Sequence, residues 1–425
     1  MNFTLKTKCF RRRASSWMLS LSVIAIAFGH TLDQAAASDK YCSPEVSNAP
    51  IYWNLERLAG VKTDLNEAGA KSIYKPAYRD VIEDAKRALK KKPYTVTDKS
   101  RAGPSGDLRD YVSLSRYWWA NPNTEDGLPY IRKDGQSNPE RKDDIFDRMR
   151  SQRMTSDVTA LSMAAYLTGE QKYADQAKKF MQVWFIDEDT RMNPHLRYAQ
   201  SVPGREDGRL YGILDGRIYW NVIDSALLLQ SVGMIDEEFV NSLRLWFGSY
   251  AAWLITDDFG KGARARKNNH GTFYDAQLSH ILLFAGRCDL ARNVLKGVKT
   301  RVKSQIDASG LQPEEKKRTQ SLHYHAFNLE AFLRIASLAK KLDIELYDKR
   351  KGGSGSIKDG VHFIASYADR IDEWPYQEIN KSVEKSVWSM LMHAQLLDES
   401  DVVDQALDKL DYDDPDNLLM ITTGS

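Results

Sequence analysis

The stretch Lys267-Asn268-Asn269-His270-Gly271-Thr272-Phe273-Tyr274-Asp275 and, further along, Arg318-Thr319-Gln320-Ser321-Leu322-His323-Tyr324-His325 gather amide, imidazole, guanidinium and phenol groups. Each lies just ahead of an apolar helical pattern. Such an inventory suits β-elimination along a uronic-acid chain. That reaction needs donors to neutralise the carboxylate beside the carbon being deprotonated, a base for the proton, and an acid for the leaving oxygen. Asn269, His270, Arg318 and Tyr324 supply all three.

Asn269 and His270 open the helical stretch that carries Phe273, Ala276, Leu278 and Leu282. A helix N-terminus presents unpaired amides and partial positive charge, so a substrate carboxylate can sit there with the Asn269 amide completing its donors. Taken alone, this pair reads equally as an ordinary N-cap and a structural histidine. Tyr324 alone reads as one of 20 tyrosines; the two motifs together tip the balance. A phenol with a pKa near 10 needs adjacent positive charge or donors to act as a base, and Arg318 and His270 are the candidates. A deprotonated Tyr324 takes the proton and returns one to the glycosidic oxygen. For the opposite sugar stereochemistry, His270 is the base and Tyr324 the acid.

Asn193-Pro194-His195-Leu196-Arg197-Tyr198-Ala199-Gln200 lies between helical patterns and is rich in hydrogen-bonding side chains, as sugar hydroxyl recognition requires. Asn193, His195, Tyr198 and Gln200 are its binding candidates. Tyr117, Trp118 and Trp119 fit both stacking on pyranose faces and buried packing. Asn268 and His325, inside the two leading motifs, complete the substrate-binding set. Carboxylate pairs for glycoside hydrolysis occur by chance among 58 acids, and none stands in so concentrated a setting. There is no CxxC or HExxH, and His323-x-His325 lacks an acidic partner, so no metal and no cofactor is expected.

These groups must be held by helices. A stretch near Tyr78 to Lys91 is helical, the face of Val158, Leu161 and Ala165 stops at Gly169, and Tyr173, Ala177, Phe180, Met181 and Trp184 form the next. Further stripes run through about 213–231, 236–254, 272–285, 288–304, 326–342, 357–370 and 383–397. Residues 38 to about 150 are richer in aromatics and turn formers. No series of alternating strands appears, so the expectation is an all-α array of antiparallel hairpins. Alternate connections then share one edge. Those holding Met192 to Gln200, Lys267 to Gly271, Arg318 to Tyr324, and Trp374-Pro375-Tyr376 fall on it, as long polar loops over a rigid array, where a cleft is expected.

The 425 residues are 42% hydrophobic and 28% charged, which excludes disordered and fibrous classes. Residues 1–37 carry Lys6, Lys8, Arg11, Arg12 and Arg13, then an apolar run from Trp17 to Phe28, then Ala35-Ala36-Ala37. They read as a cleaved secretory signal ahead of one domain over 38–425, in a periplasmic or secreted protein with no membrane span. Loss of five bases and one acid takes the net charge from +2 to −2. An acidic polysaccharide would therefore meet local charge, such as Arg264/Arg266/Lys267 and Lys316/Lys317/Arg318, each of which reads equally as a solvated loop. No nucleic-acid-binding signature is present. Beyond residue 37 only Cys42 and Cys288 remain, and their spacing leaves open whether they pair.

The chain resembles the alginate lyase family of polysaccharide lyases. The match runs through Gly106-Asp107 to Tyr117-Trp118-Trp119, Asn193-Pro194-His195 to Tyr198-Ala199-Gln200, Asn268-Asn269-His270-Gly271-Thr272, and Arg318-Thr319-x-Ser321-Leu322-x-Tyr324, in order along roughly 45–400. The resemblance implies an (α/α) toroid, that is an incomplete α/α barrel, and a metal-independent β-elimination. It implies Asn269 and His270 as carboxylate neutraliser and base or helper, with Tyr324 as general acid/base. In the branch resembling mannuronate lyases the supporting arginine sits one residue upstream, where this chain has Lys317; Arg318 matches a different branch. Alginate is the first expectation for substrate, with glucuronan or another polyuronate, or noncatalytic carbohydrate binding, as alternatives.

Overall fold

In the computed structural model, residues 41–348, 352–410, 412 and 417–423 are described, all within one compact unit, Lys40–Ser425. The secretory segment expected over 1–37 lies outside them. No described helix is long and apolar enough to cross a membrane.

Among the described residues there are fourteen α-helices of six residues or more, in chain order α1 Leu55–Glu67, α2 Lys75–Leu89, α3 Arg148–Thr168, α4 Gln171–Phe185, α5 Tyr219–Ser231, α6 Glu237–Thr256, α7 Asp258–Arg264, α8 Asn269–Phe284, α9 Cys288–Gln305, α10 Ser321–Lys340, α11 Ile357–Ala365, α12 Val383–Ala394, α13 Asp401–Lys409 and α14 Asn417–Thr422. They form inner and outer layers whose burial follows from the sequence. Inner α8 is buried all round, polar residues included, whereas outer α9 buries only the stripe of Cys288, Ala291, Val294, Leu295, Val298, Val302 and Gln305. A helix apolar on one side belongs at the surface, and one buried on every side belongs in the middle. Helices α3, α5, α8, α10 and α12 pack successively as the inner row, and α14 against α2 continues it. This is the expected (α/α) toroid.

Boundaries follow local chemistry. Gly169, at φ 75°, ends α3 in the left-handed conformation that glycine adopts without strain. Asp236 caps α6 by accepting the Phe239 N–H at 2.7 Å, and Ser356 with Asp359 forms a capping box on α11. The stripe expected over 213–231 begins as a 3₁₀ stretch, Leu210–Ile218, and becomes α-helical only at Tyr219. Helices α1, α7, α13 and α14 had no stripe of their own in the sequence reading. Strands are confined to two pairs, parallel β1 Val112–Leu114 with β4 Tyr198–Ser201, and antiparallel β2 Trp118–Trp119 with β3 Ile131–Arg132. Segments of two to four residues are too short to show alternation.

The connections leading into α10 and α12 meet, joined by the turn at Gly135. The Gln377 carbonyl accepts the Ser321 N–H at 3.0 Å, Trp374 donates to Ser321 Oγ at 2.8 Å, and Gln320 donates to the Gly135 carbonyl at 3.2 Å. Toward the other ends of the inner helices, the segment around Tyr52 is bound. Asp224 of α5 accepts the Ile51 and Tyr52 N–H groups at 2.6 and 3.1 Å, and the Tyr52 hydroxyl lies 2.7 Å from His393 of α12. Cys42 and Cys288 are disulfide-bonded across a sequence separation of 246, which ties the incoming chain to the start of α9.

Candidate active site

The start of α8 is built by its own motif. Asn268 is the N-cap, accepting the His270 N–H at 3.3 Å, so the capping role falls one residue before Asn269. Gly271 is required by close approach, since a Cβ there would run into the Arg266 carbonyl and the Arg301 guanidinium. Asn269 is buried in the first turn, but its donors are already engaged. Glu315 accepts its backbone N–H at 2.7 Å and its Nδ2 at 3.0 and 2.9 Å. The carboxylate expected at this helix terminus is therefore present as the protein's own Glu315. The Asn269 Oδ1 is buried with no partner among the described residues. Burial pushes the Glu315 carboxyl up to about 7, against the opposing pull of the Asn269 donors and Arg318.

Tyr324 lies in the first turn of α10 with its hydroxyl 2.8 Å from that of Tyr117. The Arg318 guanidinium sits 3.8 Å from the Tyr324 ring centroid and donates to Asp134 from Nη2 at 3.0 Å. Lys317 points elsewhere, pairing with Glu314 at 2.6 Å on the surface. Of the two neighbouring cations, Arg318 alone meets Tyr324. Burial raises the Tyr324 phenol above its ordinary range even though Arg318 opposes the rise. Its hydroxyl is therefore protonated at neutral pH, and the expected depression by neighbouring positive charge does not occur.

His270 packs edge-on against Tyr211, ring centroids 4.7 Å apart, and neither of its ring nitrogens is hydrogen-bonded among the described residues. Burial, then Arg318, Arg209 and Arg266, push its pKa down to about 3. It is thus a neutral imidazole. His323, beside Tyr324 at 5.1 Å between centroids, is pushed down to about 4 by burial and by Arg116, Arg318 and Arg217. Its Nδ1 lies 2.7 Å from Ser386 Oγ.

Cations crowd around these rings. Arg217 lies over Phe273 and Phe327, at 5.8 and 5.4 Å, and burial together with Arg148 pushes it down to about 10. Arg141 is likewise pushed down to about 10 by burial, Arg148 and Arg116. Buried Asp215 partly balances them, bonding Arg148, Gln200 Nε2 at 3.1 Å and Ser113 Oγ at 2.6 Å. Guanidiniums packed closely enough to depress one another favour an arriving anion. The sequence reading missed Arg116, Arg141, Arg209, Tyr211, Arg217, Glu315 and His323. Their surroundings are tertiary, and only Arg116 and His323 lie inside the motifs named above.

The remaining candidates divide. Trp118, half-buried in β2, has Arg205 and Arg209 at 5.4 and 5.5 Å from its ring, and Arg209 continues to Tyr211 at 4.4 Å. Trp119 is held by its Nε1 on the Gln136 carbonyl at 2.9 Å. Gln200 takes φ 53°, held by Ser113 and Asp215. Asn193 donates to Asp107 and Asp110 at 3.1 and 2.6 Å, while His195 meets Asp110 at 3.1 Å and stands 6.3 Å from the Tyr198 ring. Asn193 and His195 thus brace their loop against Asp107 and Asp110, whereas Tyr117, further along the same stretch as those acids, reaches Tyr324. His325 is corrected outright as a binding residue. It is fully buried, its Nε2 accepts the Gln312 N–H at 3.2 Å, and its Nδ1 lies 2.8 Å from the Ser321 carbonyl. As the residue directly after Tyr324 on a helix of 3.6 residues per turn, it points to a different face, into the packing. Among the described residues no group of three or more His, Cys, Asp and Glu side chains is placed to hold a metal ion.

Known proteins share this family and fold. The alginate lyase family matches residues 95–374. An alginate lyase from Bacteroides ovatus is 34% identical, with 89% of this chain and 100% of that chain covered and a TM-score of 0.82. Alginate lyase A1-III from Sphingomonas species A1 is 15% identical over 92% of this chain and 100% of its own, TM-score 0.55, a likeness of fold. A variant of A1-III complexed with a tetrasaccharide is also 15% identical, over 93% and 99%, TM-score 0.57. Curated proteins give no match. With its family motif spanning most of the toroid and its closely related structure aligned along nearly its whole length, the chain belongs to the alginate lyase family and is a polysaccharide lyase.

Proposed function

We propose that this lyase cleaves alginate by β-elimination, with neutral His270 as base and protonated Tyr324 as acid. The observation that carries this reading is geometric: Arg318 lies 3.8 Å from the Tyr324 ring centroid and also acts on His270, so imidazole and phenol share one guanidinium, while burial favours the neutral form of each. The substrate carboxylate is met by Arg318 and its neighbouring arginines, and by the Asn269 amide once its hold on Glu315 is released. That charge stabilises the enolate-like dianion as the C5 proton passes to His270. The C4–O bond then breaks, its electrons leave with the glycosidic oxygen, and Tyr324 supplies the proton that oxygen needs. The new non-reducing end is a 4,5-unsaturated uronate. His270 and Tyr324 afterwards exchange protons with solvent, restoring the resting site.

Separate base and acid suit a sugar whose C5–H and C4–O point to opposite faces, as in guluronate. In mannuronate and glucuronate they lie on one face, which requires a single Tyr324 phenolate to serve twice. The disulfide suits an oxidising compartment, which supports export to the periplasm or beyond. Incubation with guluronate-rich alginate, mannuronate-rich alginate and glucuronan is the test. The expected result is rising absorbance at about 235 nm from the conjugated product, fastest on the guluronate-rich chain. Binding without new absorbance on all three would leave a carbohydrate-binding protein instead, and saturated reducing ends would indicate hydrolysis.

A further inference from the structure

The contact between Glu315 and Asn269 has the form of a two-position latch. Ionised Glu315 takes the Asn269 backbone N–H and Nδ2, while the amide oxygen is left buried and unpartnered. An amide whose nitrogen faces an internal carboxylate directs its oxygen elsewhere, the wrong polarity for an incoming anion. A neutral Glu315 has a hydroxyl to donate. Turning the amide by half a revolution lets Oδ1 accept that proton, gives the orphan oxygen its partner, and brings Nδ2, free to donate, to the position Oδ1 now holds.

We propose that Glu315 is a positioning residue whose protonation turns the Asn269 amide toward the substrate carboxylate, so that the site takes up a proton as the uronate binds. The step balances: solvent supplies one proton to Glu315, no covalent bond changes in the substrate, and the proton returns on release. The proposal rests on the reading of Asn269 as a carboxylate neutraliser given above.

The surroundings fit a group that titrates near neutrality. Glu315 is 1% exposed and its carboxyl is pushed up to about 7. From its own segment the charged groups that act on it are Arg318, favouring the ionised form, and Glu314, opposing it. From α8 it meets the uncharged donors of Asn269. An arriving uronate adds negative charge and raises its proton affinity further. Neither His270, pushed down to about 3, nor Tyr324, raised above its ordinary range, accounts for a fall in activity just above neutrality.

The test compares wild type, Glu315→Gln and Glu315→Leu in kcat/KM across pH 5.5 to 9. Gln keeps a donor for the Asn269 oxygen at every pH. Wild type is expected to lose about tenfold or more between pH 6.5 and 8.5, following the protonated fraction, while Glu315→Gln stays level over that interval. Glu315→Leu, with no donor, is expected to fall below Glu315→Gln at every pH. An unchanged alkaline limb in Glu315→Gln, or equal activity of the Gln and Leu variants, overturns the proposal. A second measurement avoids Glu315 variants altogether. Calorimetry of a guluronate tetrasaccharide binding to Tyr324→Phe at pH 7.5, in two buffers of different ionisation enthalpy, should show net proton uptake; zero uptake overturns the latch. If wild type cleaves no uronan, the functional reading fails instead, so the two failures remain distinct.

Discussion

The hydroxyls of Tyr324 and Tyr117 are 2.8 Å apart, joining a helix of the inner row to the irregular aromatic region 207 residues earlier in the chain. One phenol of such a pair donates and the other accepts, so Tyr117 fixes the direction in which the Tyr324 proton points. Tyr324→Phe removes the transferable proton, and turnover should fall about 10²- to 10⁴-fold with the fold intact by circular dichroism. Tyr117→Phe removes only the orienting partner and should cost less in kcat than Tyr324→Phe. Wild-type kcat in Tyr324→Phe would remove that residue from the chemistry.

Arg318 and Lys317 are adjacent in sequence but separate in role. Arg318→Lys should lower kcat/KM about 10²-fold, because a point charge cannot both bond Asp134 and cover the Tyr324 ring. Lys317→Ala removes a surface pair with Glu314, and kcat/KM should stay within about threefold. Comparable losses in both variants, measured on one uronan at fixed ionic strength, would contradict this division.

Stability should fall as the pH drops from 6.5 to 5. Burial pushes His270 and His393 down to about 3 and His323 and His325 down to about 4. Unfolded imidazoles titrate near 6.5, so the unfolded chain gains protons in that window that the folded chain refuses. Glu315 and Asp147, raised to about 7 and about 6, act in the opposite direction because the folded state holds their protons longer. Four histidines outweigh two carboxyls, and Tm should decline by several degrees in a thermal scan. A Tm that rises on acidification would show that the histidines are less shielded than their packing indicates.

Replacing both Cys42 and Cys288 by serine should lower stability by about 2–5 kcal/mol. Activity at 25 °C should persist, because the bridge anchors the start of α9 rather than any group around Tyr324. Equal Tm values for the serine pair and the oxidised wild type would mean that the tether contributes nothing beyond packing.

The helical array was readable because apolar spacing is a local property, and the leading motifs because amides and imidazoles cluster at helix starts. The inner helices α8 and α10 nonetheless begin earlier than their apolar stripes, at 269 and 321, because polar capping turns carry no hydrophobic signal. Glu315 was hidden in Glu314-Glu315-Lys316-Lys317, which reads as a solvated charge run. Only tertiary burial separates Glu315 from its neighbours. His325 was misread for the complementary reason: its motif placed it beside Tyr324, whereas helical geometry turned it into the interior. Arg217 and Arg141 carried no local signature, since what distinguishes them is the company of other guanidiniums.

That crowding sets the reach of the enzyme. Net charge beyond residue 37 is −2, so the molecule as a whole exerts little pull on a distant polyanion. In physiological salt the arginine field decays over about 8 Å, little more than the span of one or two sugar rings. Capture then begins with a strand that has already drifted to the rim, and brine, more than polymer length, governs how often such an encounter matures into cleavage.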